Sequence, residues 1–345
     1  MTSDAPSRPE PTQLPNLQPS ADWLAASVEE AIEPELPIID CHHHFSEHWG
    51  GYLLPELLRD IDSGHSIRAT VYVQCGWHYR DSGPERFRPL GETEAVVAFA
   101  EKAAALHAAR VAAGIVGYAD LRLGEAVDEV LTAQIAAARG RLRGIRNSAA
   151  RHADFKHGIL PRPMPLLYAD PAFRRGYACL QRHGLSFEAW IYHTQIPEVI
   201  ELATAFPQTP LVLDHVGGLL GVGPFQGRRM EAMREWLSAM RRLARCPNVT
   251  VKLGGLGTPV FGFDFCLRPT PPSSQELADA WRPVVEPVIE LFGPQRCMFE
   301  TNFPVDRAAA GYGVVWNAFK RLASGSSKAD QSLLFHDTAA RVYRV

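Results

Sequence analysis

The run Ile38-Ile39-Asp40-Cys41-His42-His43-His44-Phe45 begins as an apolar segment and ends in three histidines. Side chains two residues apart in a β-strand point to the same side of a sheet. A first strand ending here would therefore carry His42 and His44 together into one cavity. Paired imidazoles are typical of a metal site or of acid–base chemistry, and a structural cluster of hydrogen-bonded histidines is the alternative.

Length and composition indicate a globular enzyme rather than a nucleic-acid or membrane protein. The 345 residues hold 35 Lys and Arg against 38 Asp and Glu, without a basic run, so neither nucleic acid nor an anionic membrane is expected as a partner. Apolar segments are short and interrupted by charge, and the amino terminus lacks the pattern of a secretory signal. We therefore expect a cytoplasmic protein with a small-molecule substrate.

The chain divides into a tail and one domain. Residues 1–20 contain five prolines among polar residues, and this composition predicts a disordered segment. Residues 21–345 are predicted to form a single domain, because one barrel of alternating strands and helices takes about 250 residues.

From Leu36 onward, short β-rich runs alternate with longer helical stretches. Eight runs are predicted as strands: 36–41, 68–74, 111–118, 142–146, 186–192, 209–214, 249–253 and 297–302. Eight such units predict an α/β fold of the (β/α)8 TIM-barrel type, with a doubly wound sheet as the alternative.

Residues capable of chemistry follow several of these strands, and active sites of such barrels lie at the carboxyl ends of the strands. Three long connections, 75–91, 147–168 and 254–272, would cover that end, and such loops are often binding loops, with an oligomer interface as the alternative. Residues at the strand ends and in these loops include His42, His44, Trp77, His78, Arg80, Arg146, Arg151, Tyr192, His193, Asp214, His215, Lys252, Glu300 and Asn302.

Five motifs occur in order along the predicted strands. They are Ile39-Asp40-x-His42-x-His44, Leu142-Arg143-Gly144-Ile145-Arg146, Leu213-Asp214-His215-Val216-Gly217, Val251-Lys252-Leu253-Gly254-Gly255 and Asn302-Phe303-Pro304. Together they resemble the amidohydrolase superfamily, and more narrowly its amidohydrolase-2 branch, which includes 2-pyrone-4,6-dicarboxylate lactonase, sugar lactonases, 4-sulfomuconolactone hydrolase and some decarboxylases. The resemblance spans residues 36–345 and implies a TIM barrel with hydrolytic chemistry.

The resemblance implies roles for individual residues. Its first-strand histidine pair matches His42 and His44, and its sixth-strand histidine matches His215. The metal-binding histidine of the zinc-dependent decarboxylases corresponds to His193, and the arginine that holds substrate carboxylates corresponds to Arg146. His42, His44 and His193 would then hold one divalent ion, zinc or manganese, and a metal-independent site is the alternative.

The eighth-strand motif departs from the family pattern. Family members carry Ser-Asp-Trp-Pro where this chain has Thr301-Asn302-Phe303-Pro304, and a neutral amide cannot take the proton of an attacking water. Glu300 faces the same way as Asn302, one layer deeper, and Asp306 follows in the loop. Either residue is a candidate replacement for the missing carboxylate, and an ion pair inside the barrel is the alternative for Glu300.

The leading hypothesis is hydrolysis of a lactone or related cyclic ester that bears a carboxylate. Arginine would bind that carboxylate, the histidines would polarise the ester carbonyl, and Glu300 or Asp306 would orient the water. The candidate catalytic residues are His42, His44, His215, Glu300, Asn302 and Asp306. The candidate substrate-binding residues are Arg146, Trp77, His78, Arg80, Arg151, Tyr192 and Lys252.

Two other functions remain open from the sequence. One is metal-dependent decarboxylation or hydration of an aromatic or unsaturated acid, which requires an ion held by His42, His44 and His193. The other is a barrel without catalysis that binds a ligand. An anionic small molecule is the expected substrate, and a homodimer is an open alternative to a monomer.

Overall fold

The alternation of strands and helices folds into the predicted barrel in the computed structural model, which describes residues 12–13, 18–156 and 163–345. Eight strands form one sheet in which each strand pairs in parallel with the next along the chain. They are β1 Pro37–His43, β2 Ser66–Val73, β3 Arg110–Gly117, β4 Leu142–Arg146, β5 Ser186–Ala189, β6 Leu211–Leu213, β7 Val249–Leu253 and β8 Cys297–Phe299. The TIM-barrel prediction is therefore confirmed.

A helix follows each strand and packs outside the barrel. In order these helices are Leu54–Ile61, Leu90–Ala104, Val127–Ala137, Pro171–Arg182, Ile196–Ala205, Arg229–Leu243, Ser274–Phe292 and Tyr312–Leu322. The helix Ala21–Ala25 precedes β1, and the chain ends in Lys328–Ser332, a π-helical stretch Leu333–Asp337 and Thr338–Tyr343. The longest helix begins at a capping box, in which Ser273 Oγ accepts from Glu276 N at 3.3 Å and Ser273 N donates to Glu276 Oε2 at 2.9 Å.

The segment after β8 closes the barrel against β1. The Asn302 amide donates to the His42 carbonyl at 2.9 Å. Buried Asp40 accepts from the Thr301 amide at 3.0 Å and from the Thr301 hydroxyl at 2.6 Å. These contacts fix the end of β1, which carries His42, next to the end of β8, which carries Glu300.

The barrel interior consists of an apolar layer and a polar layer. The apolar layer includes Ile39, Cys41, Val71, Val212, Met298 and, from the last helix, Tyr343. An irregularity in β1 between Asp40 and His43 interrupts the simple alternation of the strand, as a β-bulge does. Because of it, Cys41 packs in the apolar layer while the next residue, His42, contacts the polar groups above.

The predicted tail, residues 1–20, lies mostly outside the described residues. Of its described part, Thr12–Gln13 pairs in parallel with Phe155–Lys156, and Ser20 caps the helix Ala21–Ala25 by accepting from Trp23 N at 3.1 Å. None of the helices in the described ranges is long and apolar enough to span a membrane.

Candidate active site

His42 and His44 meet at the carboxyl end of β1, as their spacing predicts. Their Nε2 atoms are 3.2 Å apart, and His44 Nδ1 lies 2.6 Å from the Val73 carbonyl oxygen. Because a carbonyl can only accept, His44 carries its proton on Nδ1 and presents a lone pair at Nε2. Burial lowers the pKa of both imidazoles well below the ordinary value, so both rings are neutral.

Lys252, on β7, lies among the acidic groups beneath this pair. Its Nζ is 3.1 Å from His42 Nδ1, 2.7 Å from Glu188 Oε2 and 3.5 Å from Asp214 Oδ1. All four side chains are fully buried. Burial acts to lower the pKa of Lys252, but the carboxylates of Glu188, Asp214 and Glu300 outweigh it and raise that pKa. The lysine is therefore a buried ammonium, stabilised by the neighbouring carboxylates.

His215 and Glu300 form a second pair in the same layer. His215 Nδ1 lies 2.6 Å from Glu300 Oε1, so this nitrogen donates and the lone pair of the ring is on Nε2. Burial acts to lower the pKa of His215, whereas the neighbouring carboxylates, Glu300 first, raise it, with a net rise above the ordinary value. An imidazole oriented by a carboxylate in this way is the arrangement of a general base.

The backbone at His215 and Val216 adopts a strained conformation that directs the His215 ring toward Glu300. His215 and Val216 have φ of 51° and 49°, a left-handed region that residues other than glycine adopt rarely and at a cost. Gly255, with φ of 69°, lies against the imidazole, and a Cβ at this position would be 2.2 Å from His215 Nδ1. The glycine that ends the Lys252 motif therefore leaves room for the histidine.

Arg146 closes the opposite side of the site from the end of β4. Its Nη1 lies 3.4 Å from His42 Nε2 and 3.7 Å from Asp214 Oδ2, and its Nη2 donates to the Gln74 carbonyl. The side chain is 5% exposed, and its Nε has no hydrogen-bond partner in the described part of the chain. One edge of the guanidinium is therefore available to a ligand.

Glu188 and Asp214 complete the cluster. Motif matching misses Glu188. The signal that could have found it is a glutamate inside the buried strand β5, because a buried charge requires partners. Both Asp214 oxygens are buried without a hydrogen-bond donor among the described residues, and its nearest cations are Lys252 at 3.5 Å and Arg146 at 3.7 Å. Asp214 therefore lies beside Glu188, Lys252 and Arg146 with acceptor capacity left.

Asp306 and Asn302 lie together in the loop that follows β8. Asp306 accepts from Asn302 Nδ2 at 2.9 Å, from the Gly257 amide at 2.9 Å and from the Thr258 hydroxyl at 3.2 Å. Burial raises the pKa of Asp306 to about 7. Its oxygens are occupied in joining the loops after β7 and β8, so Glu300 is the carboxylate that contacts the histidines.

The two loop arginines predicted to bind substrate have other partners. Arg80 is exposed and pairs with Glu94 on the helix Leu90–Ala104. Arg151 donates from Nη1 to the Pro163 carbonyl at 2.8 Å. The structure therefore places Arg146, rather than Arg80 or Arg151, beside the histidines.

The predicted residues Trp77, His78 and Tyr192 contact acidic or aromatic neighbours. Trp77 donates from Nε1 to Glu47 Oε2 at 2.6 Å, and His78 packs edge-on against it with ring centres 5.3 Å apart. Tyr192 packs edge-on against Trp190, whose ring lies 4.7 Å from that of His215. Tyr192 is therefore separated from His215 by one aromatic ring.

His193 is placed apart from the first-strand pair. Strand β5 ends at Ala189, earlier than predicted, so His193 begins the short turn His193–Gln195. Its Nδ1 accepts from the Leu220 amide at 3.2 Å, which puts the proton on Nε2 and leaves no lone pair for a metal. Within the described ranges His193 belongs to none of the side-chain groups suited to an ion. The predicted triad of His193 with the first-strand pair does not form.

Two buried groups carry ligating atoms within 4.8 Å of one another: His42 with His215 and Glu300, and His42 with Glu188 and Asp214. The Lys252 ammonium contacts all three members of the second group. In the first group the Glu300 oxygens lie 2.6 and 2.8 Å from the two ring nitrogens, closer than the about 3.3 Å that separates two ligands on a tetrahedral zinc. As arranged, an ion could enter either group only after Lys252 or the Glu300 contacts moved apart.

Known proteins resemble this chain over the whole barrel. The family model described as amidohydrolase matches residues 39–345. The uncharacterized protein y4mH of Sinorhizobium fredii is 35% identical over 298 residues, which cover 85% of this chain and 86% of that protein. An L-fucono-1,5-lactonase of Burkholderia multivorans is 31% identical over 321 residues, which cover 88% of this chain and 95% of that protein.

Solved structures agree with the sequence comparisons. A crystal structure of an amidohydrolase from Burkholderia multivorans with bound HEPES has a TM-score of 0.68 and 28% identity, covering 89% of this chain and 99% of that one. A crystal structure of an amidohydrolase from the same organism with bound zinc has a TM-score of 0.68 and 27% identity, with the same coverage. The chain belongs to the amidohydrolase family and is a hydrolase.

Proposed function

We propose that this hydrolase opens a hydroxylated lactone by attack of a water that His215 activates. The observation that carries the proposal is the contact of 2.6 Å between His215 Nδ1 and Glu300 Oε1 inside a buried site. The lone pair on His215 Nε2 takes a proton from the attacking water, and Glu300 stabilises the imidazolium that forms. When the acyl C–O bond of the ring breaks, the imidazolium returns this proton to the leaving ring oxygen. This pair replaces the base that Asn302 cannot provide.

Arg146 supplies the positive charge that the reaction needs at the ester oxygen. The tetrahedral intermediate of ester hydrolysis carries a negative oxygen, and a donor fixed beside that oxygen is worth about 10²–10³ in rate. Arg146 has an unpartnered Nε and lies 3.4 Å from His42. No step is assigned to a metal ion, because the Lys252 ammonium and the close Glu300 contacts occupy the ligating atoms of the two candidate groups.

The charges of the site favour a neutral substrate over the anionic one expected from the sequence. Three buried carboxylates, Glu188, Asp214 and Glu300, face two cations, Lys252 and Arg146, so the site has no positive excess to attract an anion. The open Asp214 oxygens accept hydrogen bonds from hydroxyl groups. A sugar lactone has such hydroxyls, and the relative of Burkholderia multivorans is named an L-fucono-1,5-lactonase.

The metal-dependent decarboxylase hypothesis has less support from the geometry. It depends on a triad of His42, His44 and His193, and the Leu220 amide occupies the only lone pair on the ring of His193. Membership in a hydrolase family likewise favours a catalytic barrel over a barrel that only binds a ligand.

The experiment that tests the proposal measures proton release from lactones above the uncatalysed rate, with chelator-treated enzyme. The substrates are L-fucono-1,5-lactone, other sugar 1,5-lactones and, as the anionic comparison, 2-pyrone-4,6-dicarboxylate. We expect turnover of one or more sugar lactones. Turnover of the dicarboxylate alone would contradict the charge argument, and turnover of no lactone would contradict the proposed function.

A further inference from the structure

We propose that Lys252 is a resident cation that occupies one of the two candidate metal positions and fixes the tautomer of His42. The first-strand histidines then act as a hydrogen-bonded pair rather than as metal ligands. The inference rests on the proposed metal-free hydrolysis and assigns to a residue of this chain the charge that an ion would otherwise supply.

The position of the ammonium is the first step. Lys252 Nζ lies 2.7 Å from Glu188 Oε2, 3.1 Å from His42 Nδ1 and 3.5 Å from Asp214 Oδ1. These are the three side chains of one candidate metal group, so an ion placed there would displace the ammonium or lie against it. A buried ammonium held by two carboxylates already supplies one positive charge to the group without an ion.

The tautomer of His42 follows from its neighbours. An ammonium can only donate, so the bond from Lys252 places a lone pair on His42 Nδ1 and the proton on Nε2. That proton then points at the lone pair of His44 Nε2, 3.2 Å away, while His44 Nδ1 donates to the Val73 carbonyl at 2.6 Å. Donors and acceptors therefore alternate from Lys252 to Val73.

Glu300 and Arg146 favour the opposite tautomer. Glu300 Oε2 lies 2.8 Å from His42 Nδ1, closer than Lys252 Nζ at 3.1 Å, but this oxygen makes no hydrogen bond among the described residues, whereas the ammonium does. Arg146 Nη1 is 3.4 Å from His42 Nε2, longer than the contact with His44. The opposite tautomer would also set two lone pairs against each other at the His42–His44 contact.

Tyr343 holds the ammonium from below. Its hydroxyl donates to Glu188 Oε1 at 2.5 Å, and its ring centre lies 5.5 Å from Lys252 Nζ, within the range of a cation–π contact. Tyr343 belongs to the last helix, which fills the apolar layer of the barrel. The lysine is therefore fixed both by charge and by packing.

The first test examines the wild-type protein. Long-range proton–nitrogen spectra of the histidine side chains report which ring nitrogen carries the proton, and His42→Gln identifies the signals of His42. We expect His42 to be protonated on Nε2 and His44 on Nδ1. A proton on His42 Nδ1, donated to Glu300, would overturn the proposal. This outcome is read from the wild-type protein and needs no Lys252 variant.

The second test measures zinc binding by calorimetry and by the metal content after dialysis. Wild type is expected to bind far less than one zinc per chain in the barrel, whereas Lys252→Met, which frees His42, Glu188 and Asp214, is expected to bind about one. Lys320→Met is the matched control: Lys320 is also a buried lysine, but its Nζ donates to the Ile32 and Glu33 carbonyls, and this variant should behave as wild type.

Stoichiometric zinc on wild type that is lost in His42→Gln would overturn the proposal, as would a folded Lys252→Met that binds no more zinc than wild type. If Lys252→Met does not fold, the tautomer of His42 in wild type decides. Neither measurement involves turnover, so a failure to hydrolyse lactones would contradict the proposed function alone.

Discussion

Acidic residues near the barrel mouth fall into two regions that differ in the bonding of their oxygens. Beneath the mouth, Glu300 contacts two imidazoles, and both Asp214 oxygens are buried without a donor in the described chain. In the loop after β8, Asp306 accepts from the Gly257 amide and from the Thr258 hydroxyl. Buried acceptors are normally satisfied, and the exceptions require an explanation. Asp306 therefore joins two loops, whereas the Asp214 oxygens have acceptor capacity left, which we propose a substrate hydroxyl uses.

The largest expected effect comes from substituting either member of the His215–Glu300 pair. His215→Asn removes the base, and Glu300→Gln removes the charge that orients it, so each is expected to lower kcat by about 10²–10⁴, the usual range for a general base. Initial rates with the preferred lactone measure both effects. Activity within a few-fold of wild type in either variant would contradict the roles assigned to the pair.

The pH profile of kcat separates orientation from general damage. The base must be unprotonated, so the rate rises with pH through the pKa of His215, which the adjacent carboxylates raise. Glu300→Gln removes the largest of these raising effects, so the acidic limb of its residual activity should move to lower pH. An unmoved limb would mean that another group is the base.

The next effect concerns Asp214. Asp214→Asn removes a charged acceptor of substrate hydroxyls, and such bonds contribute about 1.5–3 kcal/mol, so kcat/KM for a sugar lactone should fall by about 10–100-fold. The fall should appear mainly in KM and should be smaller for δ-valerolactone, which has no hydroxyl groups. Equal losses for both substrates would indicate that Asp214 acts on the ester itself or on the folding of the site.

Asp306→Asn makes the same chemical change in the loop after β8. Its effect should appear in the free energy of unfolding. Burial raises the pKa of Asp306 from 3.8 to about 7, so between these values the folded protein keeps a proton that the unfolded chain has lost. Stability therefore falls as pH rises through this window, by at most about 1.4 kcal/mol per pH unit. Denaturant unfolding at several pH values should show a shallower fall in the variant, and an unchanged slope would contradict the buried acid.

The regions also differ in how well sequence predicts them. The alternation of short and long segments places all eight strands, and the spacing of His42 and His44 places the histidine pair, because both depend on local geometry. The bonding of Asp306 and the partners of Lys252 depend on loops and strands that are distant in sequence, so no local pattern contains them. From the sequence, Glu188 could be recognised only as a charged residue inside a predicted strand.

His193 gives the smallest expected effect and tests the boundary of the site. The resemblance to the zinc-dependent decarboxylases predicts it as a metal ligand, but β5 ends at Ala189 and His193 accepts from the Leu220 amide at 3.2 Å. In His193→Gln a side-chain oxygen can accept the same amide, so kcat and zinc content should both stay within about twofold of wild type, as for changes outside a site. A large loss of activity together with a loss of bound metal would return His193 to the site and favour the metal-dependent chemistry.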